Sequence, residues 1–301
     1  MQSFSRGWSF LQQAWGMAFK DKDLIKPSIY ALIVGMIISV IGMIPIIGAV
    51  FVLGTDGTVA QVILGVMGAV LVFVQFVISY MFSAMTVYLI FGYLSEGDGR
   101  MDKAWAVVKR DFFDILTLAA VSTVVNLLRS AAQRNRRSVV GGIARAATGL
   151  LEVLWTEAAL LILPAMIIDD LNLKDSMARV LKITKENLLL VGISTVGVGL
   201  VTGLIGFALG VIGAVLGFAV GYGLIVITGS ATAGIILGIA LGAMIFFTFV
   251  MVASVISSYT GTAYHTCLYI WARETEKARA QGNTAAVSAP GPLATALGNA
   301  A

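Results

Sequence analysis

Cysteine and histidine occur once each in this 301-residue chain, as Cys267 and His265, and only 12% of its positions carry charge. One cysteine excludes an intramolecular disulfide and a cysteine-rich metal site, and one histidine argues against a zinc site built on imidazoles. A soluble domain carries about 25% charged and 45–50% apolar residues, whereas 58% of this chain is hydrophobic. So little charge cannot cover a water-facing surface. Recognisable reaction chemistry is missing too: there is no phosphate loop, zinc signature, nucleophile elbow or dinucleotide fingerprint. The run "GVGLVTG" fails the dinucleotide spacing. No polar segment before the tail is long enough for a soluble catalytic domain. An enzyme, a cofactor, a bound metal and a nucleic-acid partner are therefore not expected.

What the chain has instead is uncharged apolar sequence in runs longer than the ~20 residues a helix needs to cross a bilayer. Hydropathy punctuated by charge predicts an all-α, polytopic transmembrane bundle of about six spans, near 27–54, 59–94, 112–128, 146–168, 188–226 and 232–271. The third is short and carries Asp114 and Asn126 near its ends. The fifth exceeds a bilayer's thickness, so it tilts, breaks near Gly221-Tyr222-Gly223, or protrudes. Pro45 and Pro164 fall inside the first and fourth spans and predict kinks. Residues 1–26 are amphipathic and charged, without the apolar core or cleavage site of a secretory signal.

Basic residues orient these spans. Arg6, Lys20, Lys22 and Lys26 precede the first; Arg100, Lys103, Lys109 and Arg110 follow the second. Lys174, Arg179, Lys182 and Lys185 follow the fourth, and Arg273, Lys277 and Arg279 the sixth. Six crossings put all of these on one side, the cytoplasmic side of a prokaryotic inner membrane, with both termini there. Arg129, Arg134, Arg136, Arg137 and Arg145 then form a basic loop on the far side. That loop either meets anionic groups outside or merely snorkels from two helix ends.

A similar segment precedes each odd-numbered span. "GWSFLQQAWGMAFKDKDLIKP" places Trp8, Leu11, Trp15 and Phe19 on one helical face, and "GRMDKAWAVVKRDFFDIL" does the same with Met101, Trp105, Val108 and Phe112. "NLKDSMARVLKITKENLLL" aligns Leu173, Met177, Val180, Leu181 and Leu188, with Asn172 and Asp175 spaced as a helix start. Such basic amphipathic helices lie in the headgroup plane and attract anionic lipid. Lys20, Lys22, Lys103, Lys109, Arg110, Lys174, Arg179, Lys182 and Lys185 are the expected headgroup contacts. The organisation reads as three units, each an interfacial helix followed by a hairpin, at about 1–95, 96–170 and 171–273. A low-complexity Ala/Gly/Pro tail at 274–301, expected to be disordered, completes the chain.

Six glycines in "GLVTGLIGFALGVIGAVLG" alternate in steps of four and three. Each costs a helix about 1 kcal/mol relative to alanine in water. In lipid, close backbone approach drives helix association. Gly199, Gly206 and Gly213 form one row, and Gly203, Gly210 and Gly217 its neighbour, facing Gly234, Gly238 and Gly242 of the last span. Whether that face pairs within one chain or between two copies is open. Among ionisable residues, Glu157 lies about midway along the fourth span, where a carboxylate is costly and marks an ion or proton site, or else a hydrogen-bonded structural residue. Glu152, five positions away, faces elsewhere and does not pair with it. Tyr259, Tyr264, Tyr269 and Trp271 read as an aromatic belt around His265. Gln61 and Gln75 are expected to bond across helices.

Three stretches carry a resemblance. "FSRGWSFLQQAWGMAFKDKDL", "WTEAALLILPAMIIDDLNLKDSMARVLKITKEN" and "AYHTCLYIWA" resemble a group of bacterial and archaeal six-span proteins, a domain of unknown function with an FSRGW-like start. The likeness covers about 1–273 and rests on Trp155, Pro164, Asp169 and the basic helix beyond; Glu157 is outside its pattern. The helix-then-hairpin plan is loosely similar to the membrane region of some glycerophosphodiester phosphodiesterases. The resemblance implies fold and topology and carries no activity. The expectation is a non-enzymatic membrane scaffold, assembly or regulatory factor with anionic lipid and a membrane-protein partner or second copy around it. A small transporter using Glu157, or a lipid-handling protein, is the alternative.

Overall fold

The computed structural model describes residues 2–54, 57–134, 139–186, 188–228, 232–282 and 287–297, and their side chains except at 2–3, 133–148, 150–154, 184–197 and 295–297. Every regular element among the described residues is helical. The chain runs α1 (Gln2–Lys20), a 3₁₀ turn (Lys22–Leu24), α2 (Lys26–Leu53), α3 (Thr58–Glu96), α4 (Met101–Arg110), α5 (Phe112–Arg134) and α6 (Val139–Asp169). It continues through α7 (Leu173–Glu186), α8 (Leu188–Ile227), α9 (Thr232–Ala280) and α10 (Gly291–Leu297). Five of these are long and apolar enough to cross a membrane: α2, α3, α5, α8 and α9. The protein is membrane-embedded. The expected span at 146–168 falls in α6, whose side chains are described continuously only from Trp155 onward. The fifth span does not break at Gly221-Tyr222-Gly223; α8 runs unbroken to Ile227.

The bundle has two tiers. In the first, large apolar side chains point outward: Ile29 to Leu53 on α2, Val59 to Val70 on α3, Leu200 to Ile227 on α8, and Ile235 to Val252 on α9. In water this surface would be untenable; in lipid it is the correct solution. In the second tier the same long helices acquire a conventional core. Leu89 and Ile90 of α3, Ile115 and Leu118 of α5, Ile162, Leu163 and Met166 of α6, and Tyr259, Tyr264 and Tyr269 of α9 are all buried. The three tyrosines, read above as an aromatic belt, are therefore core residues. Tyr264 packs edge-on against Phe10 of α1, and the Tyr259 hydroxyl donates to the Ala14 carbonyl at 2.9 Å.

The three amphipathic helices wrap this second tier: α1 buries a row offset from the one Trp8 and Phe19 mark, while α4 and α7 bury Val108 and Val180 of the expected rows and turn Trp105, Met177 and Leu181 outward. On α1 the buried row is Phe10, Ala14, Met17 and Ala18, while Trp8 and Phe19 are exposed. On α4 it is Ala104 and Val108, with Trp105 exposed. On α7 it is Ser176, Val180 and Ile183, with Met177 and Leu181 exposed. On each helix part of the bulky apolar set is thus left facing outward.

The tail also differs from expectation. α9 continues to Ala280, and α10 packs on α1 with Leu293 fully buried. The Trp271 indole donates to the Val287 carbonyl at 3.2 Å, fastening the connection.

Candidate functional site

Carboxylates at the helix ends of the second tier pin the amphipathic helices. Asp21, after α1, accepts from the Asp23 amide at 2.9 Å and from the Gly99 amide at 2.8 Å, joining α1 to the α3–α4 loop. Gly99 has no room for a side chain, since a Cβ there would sit 2.8 Å from Asp21 Oδ2. Arg110 holds buried Asp111 through two bonds of 2.6 and 2.9 Å and reaches Asp170 at 3.1 Å, joining α4 to the end of α6. Asp170 adopts φ 55°, the left-handed conformation that turns the chain out of α6 into α7.

Asp169 is the hub. Its carboxylate, 14% exposed, accepts from the Tyr269 hydroxyl at 2.5 Å and forms ion pairs with Arg273 Nε at 2.8 Å and Arg179 Nε at 3.1 Å, while the Arg179 Nε–H donates to the Tyr269 oxygen at 2.9 Å. Arg179 also reaches Glu276 at 3.1 Å, and Lys182 bonds the same carboxylate at 2.5 Å. Three helices thus converge on one acid. Burial pulls the Arg179 guanidinium down, but Tyr269, Asp169 and Glu276 outweigh it and hold it above its ordinary value.

Of the expected headgroup cations, Arg110, Arg179 and Lys182 form ion pairs with carboxylates of the protein, Arg110 and Lys182 remaining about half exposed. Lys103 pairs loosely with Glu96 at 3.5 Å, and Lys109 lies 5.6 Å from the Trp105 ring centre. Lys20, Lys22 and Lys174 are exposed and have no ion-pair partner among the described residues. The side chain of Lys185 lies outside the described residues. So do those of Arg134 and Arg145, and Arg136 and Arg137 altogether; Arg129 lies on α5.

The sharpest ionisable candidate finds a partner that sequence spacing did not reveal. Glu157 Oε2 is 3.2 Å from His265 Nε2, and His265 Nδ1 is 2.7 Å from the Gly261 carbonyl. A carbonyl only accepts, so Nδ1 carries a proton. His265 is 6% exposed and Glu157 46%. His265 lies thirteen residues past Val252, the last outward-facing large apolar side chain of α9, about 20 Å along a helix. The pair therefore sits in the second tier. The side chain of Glu152 is outside the described residues. Nearby, the Trp155 indole donates to Ser122, which bonds the Tyr80 hydroxyl at 2.7 Å and ties α3, α5 and α6 together.

The glycine stripe divides in two. A Cβ at Gly217 would lie 2.5 Å from the Gly242 carbonyl oxygen, and one at Gly213 would lie 2.7 Å from Phe249 Cβ. Gly221, outside the six expected positions, meets Gly238 in the same way at 2.7 Å. Gly199, Gly203, Gly206 and Gly210 have nothing within 4 Å beyond their own helix. Close α8–α9 packing is thus carried by Gly213, Gly217 and Gly221; the first four expected positions do not take part in it. Gln75 does bond across helices, to the Gly35 carbonyl at 2.9 Å and to Ser39 at 2.7 Å.

Among the described residues no group of three or more His, Cys, Asp or Glu side chains is placed to hold a metal. No protein-family model matches the chain, and no curated protein matches it.

Proposed function

We propose that this protein is a non-enzymatic scaffold of a prokaryotic cytoplasmic membrane, with six spans and both termini in the cytoplasm, working where its second tier meets anionic headgroups. The single observation that carries this is the double-sided character of α1, α4 and α7. Each is pinned to the bundle through one row and a carboxylate, yet each leaves a bulky apolar row outside: Trp8 and Phe19, Trp105, Met177 and Leu181. Lysines without ion-pair partners lie on two of the same segments, at Lys20, Lys22 and Lys174. Apolar side chains flanked by cations fit the boundary between acyl chains and headgroups. Such helices organise lipid or a neighbouring membrane protein without moving either across the bilayer.

The test is reconstitution in mixed vesicles with a fluorescent anionic lipid. Energy transfer from the protein should exceed that to a zwitterionic lipid of the same chains, and fall when Lys103, Lys109 and Lys174 are replaced by glutamine. Equal transfer to both lipids contradicts the proposal.

A second reading, a proton-coupled transporter, is favoured by the Glu157–His265 pair. Its test is Glu157→Gln: loss of a proton-dependent flux in proteoliposomes would replace the scaffold reading.

A further inference from the structure

Where the two tiers meet, α2, α3 and α9 part around a crevice of about 410 Å³ lined by Ser28, Ala31, Leu32, Gly35, Gln75, Ile78, Ser79, Ser254 and Ser258. It differs from the grooves higher in the bundle, which are walled by apolar side chains and glycine. Four hydroxyls line this one, and none has a hydrogen-bond partner among the described residues. Elsewhere Thr86, Thr202, Thr228 and Thr248 satisfy themselves on a carbonyl one turn back. Ser28 is the telling case. The residue is 5% exposed and makes no side-chain hydrogen bond within the described protein, and what its hydroxyl does expose opens on the crevice wall. Gln75 spends both amide hydrogens on α2 and leaves Oε1 without a donor among the described residues. The crevice offers donors and acceptors with no net charge.

Its depth and its rim identify what fits. Ser28 immediately precedes Ile29, the first outward-facing large apolar residue of α2, and Ser254 and Ser258 follow Val252, the last on α9. The crevice therefore opens at the boundary between apolar and polar surface, the level of lipid glycerol and ester groups. Lys22, on the turn that leads into α2, and Lys20, the last residue of α1, lie six and eight residues before Ser28, exposed and without ion-pair partners among the described residues. Lys26 is paired with Asp23 at 2.6 Å.

We propose that the crevice is a binding site for one anionic glycerophospholipid. Its ester carbonyls and glycerol oxygens bond Ser28, Ser79, Ser254 and Ser258, its phosphate meets Lys20 and Lys22, and its chains run along the exposed face of α2. This deepens the scaffold reading by naming a specific lipid position, and rests on it for the orientation of the headgroup level.

The full chain purified in mild detergent is incubated with phosphatidylglycerol, phosphatidylcholine or diacylglycerol of matched chains, and retained lipid is counted by native mass spectrometry. One phosphatidylglycerol per chain is expected. Lys20→Gln with Lys22→Gln should weaken retention by about fivefold for each lysine removed. Ser258→Phe, a filler at an exposed position, should abolish it without altering helix content, and Ser28→Ala should weaken it with the thermal midpoint unchanged. Equal retention of phosphatidylcholine, preference for diacylglycerol, or unchanged retention in Ser258→Phe overturns the site. The vesicle measurement reads many exchanging lipids around α4 and α7. Loss of vesicle enrichment with the single retained lipid intact therefore counts against the scaffold reading alone, and the reverse against the crevice alone.

Discussion

Replacing Gly217 by alanine should separate α8 from α9, although the same change at Gly206 should not. An added methyl at Gly217 would lie 2.5 Å from the Gly242 carbonyl oxygen. That oxygen is backbone and cannot rotate aside, so the helices must part by roughly 1 Å, which forfeits about a quarter to a half of each dispersion contact along the seam. Overpacking of this kind costs about 1–3 kcal/mol, offset by up to about 1 kcal/mol from alanine's better helix propensity. A net loss of about 1–2 kcal/mol is expected. Gly206 has nothing within 4 Å, so its alanine variant keeps only the propensity gain. Gly242 mirrors Gly217, with its own Cβ falling 2.6 Å from the Gly217 carbonyl oxygen. One separation accommodates both methyls, so the double variant should cost less than the two singles combined. Reversible unfolding in detergent, followed by circular dichroism, measures all four proteins. Equal stability of the Gly217 and Gly206 variants would refute backbone contact as the force that closes this hairpin.

Other expectations follow from the helix-end carboxylates. Asp169→Asn removes the charge that joins Arg179 and Arg273. Breaking such a partly buried cluster should cost about 3 kcal/mol, seen as a lower unfolding midpoint and faster proteolysis within α7. Asp170→Gly should stabilise by up to about 1 kcal/mol, because glycine adopts the φ 55° conformation without strain and only an exposed ion pair is lost. Gly99→Ala should destabilise by about 1–3 kcal/mol by pushing on Asp21, and Asp21→Ala in the same chain should relieve most of that clash. Both are read as unfolding midpoints.

The helices and their approximate ends were legible in the sequence, because uncharged runs and basic punctuation report directly on a bilayer. Which side of each helix meets protein was not. On α1, the row Trp8, Leu11, Trp15 and Phe19 and the row Phe10, Ala14, Met17 and Ala18 both follow helical spacing. Lipid is as apolar as a protein core, so hydropathy gives no reason to prefer either. The glycines pose the same problem: the stripe is visible, but only the positions near the hairpin turn meet a partner helix. Arg179 and Lys182 read as headgroup cations because their acids, Asp169 and Glu276, are distant in sequence and close only after α6, α7 and α9 converge. The Glu157–His265 contact joins residues 108 positions apart. Ser254 and Ser258, one turn apart in an apolar helix, were an available signal for the crevice.

Lipid-attached quenchers acting on single-tryptophan variants test the double-sided helices directly. Trp8 and Trp105, 42% and 41% exposed, should be strongly quenched by lipids brominated near the headgroup end of their chains. Trp155, bonded to Ser122, and Trp15, bonded to Thr260, should be spared. If Trp8 and Trp105 respond instead to aqueous iodide and ignore the lipid quencher, the outer rows of α1 and α4 face water and the interfacial account is wrong.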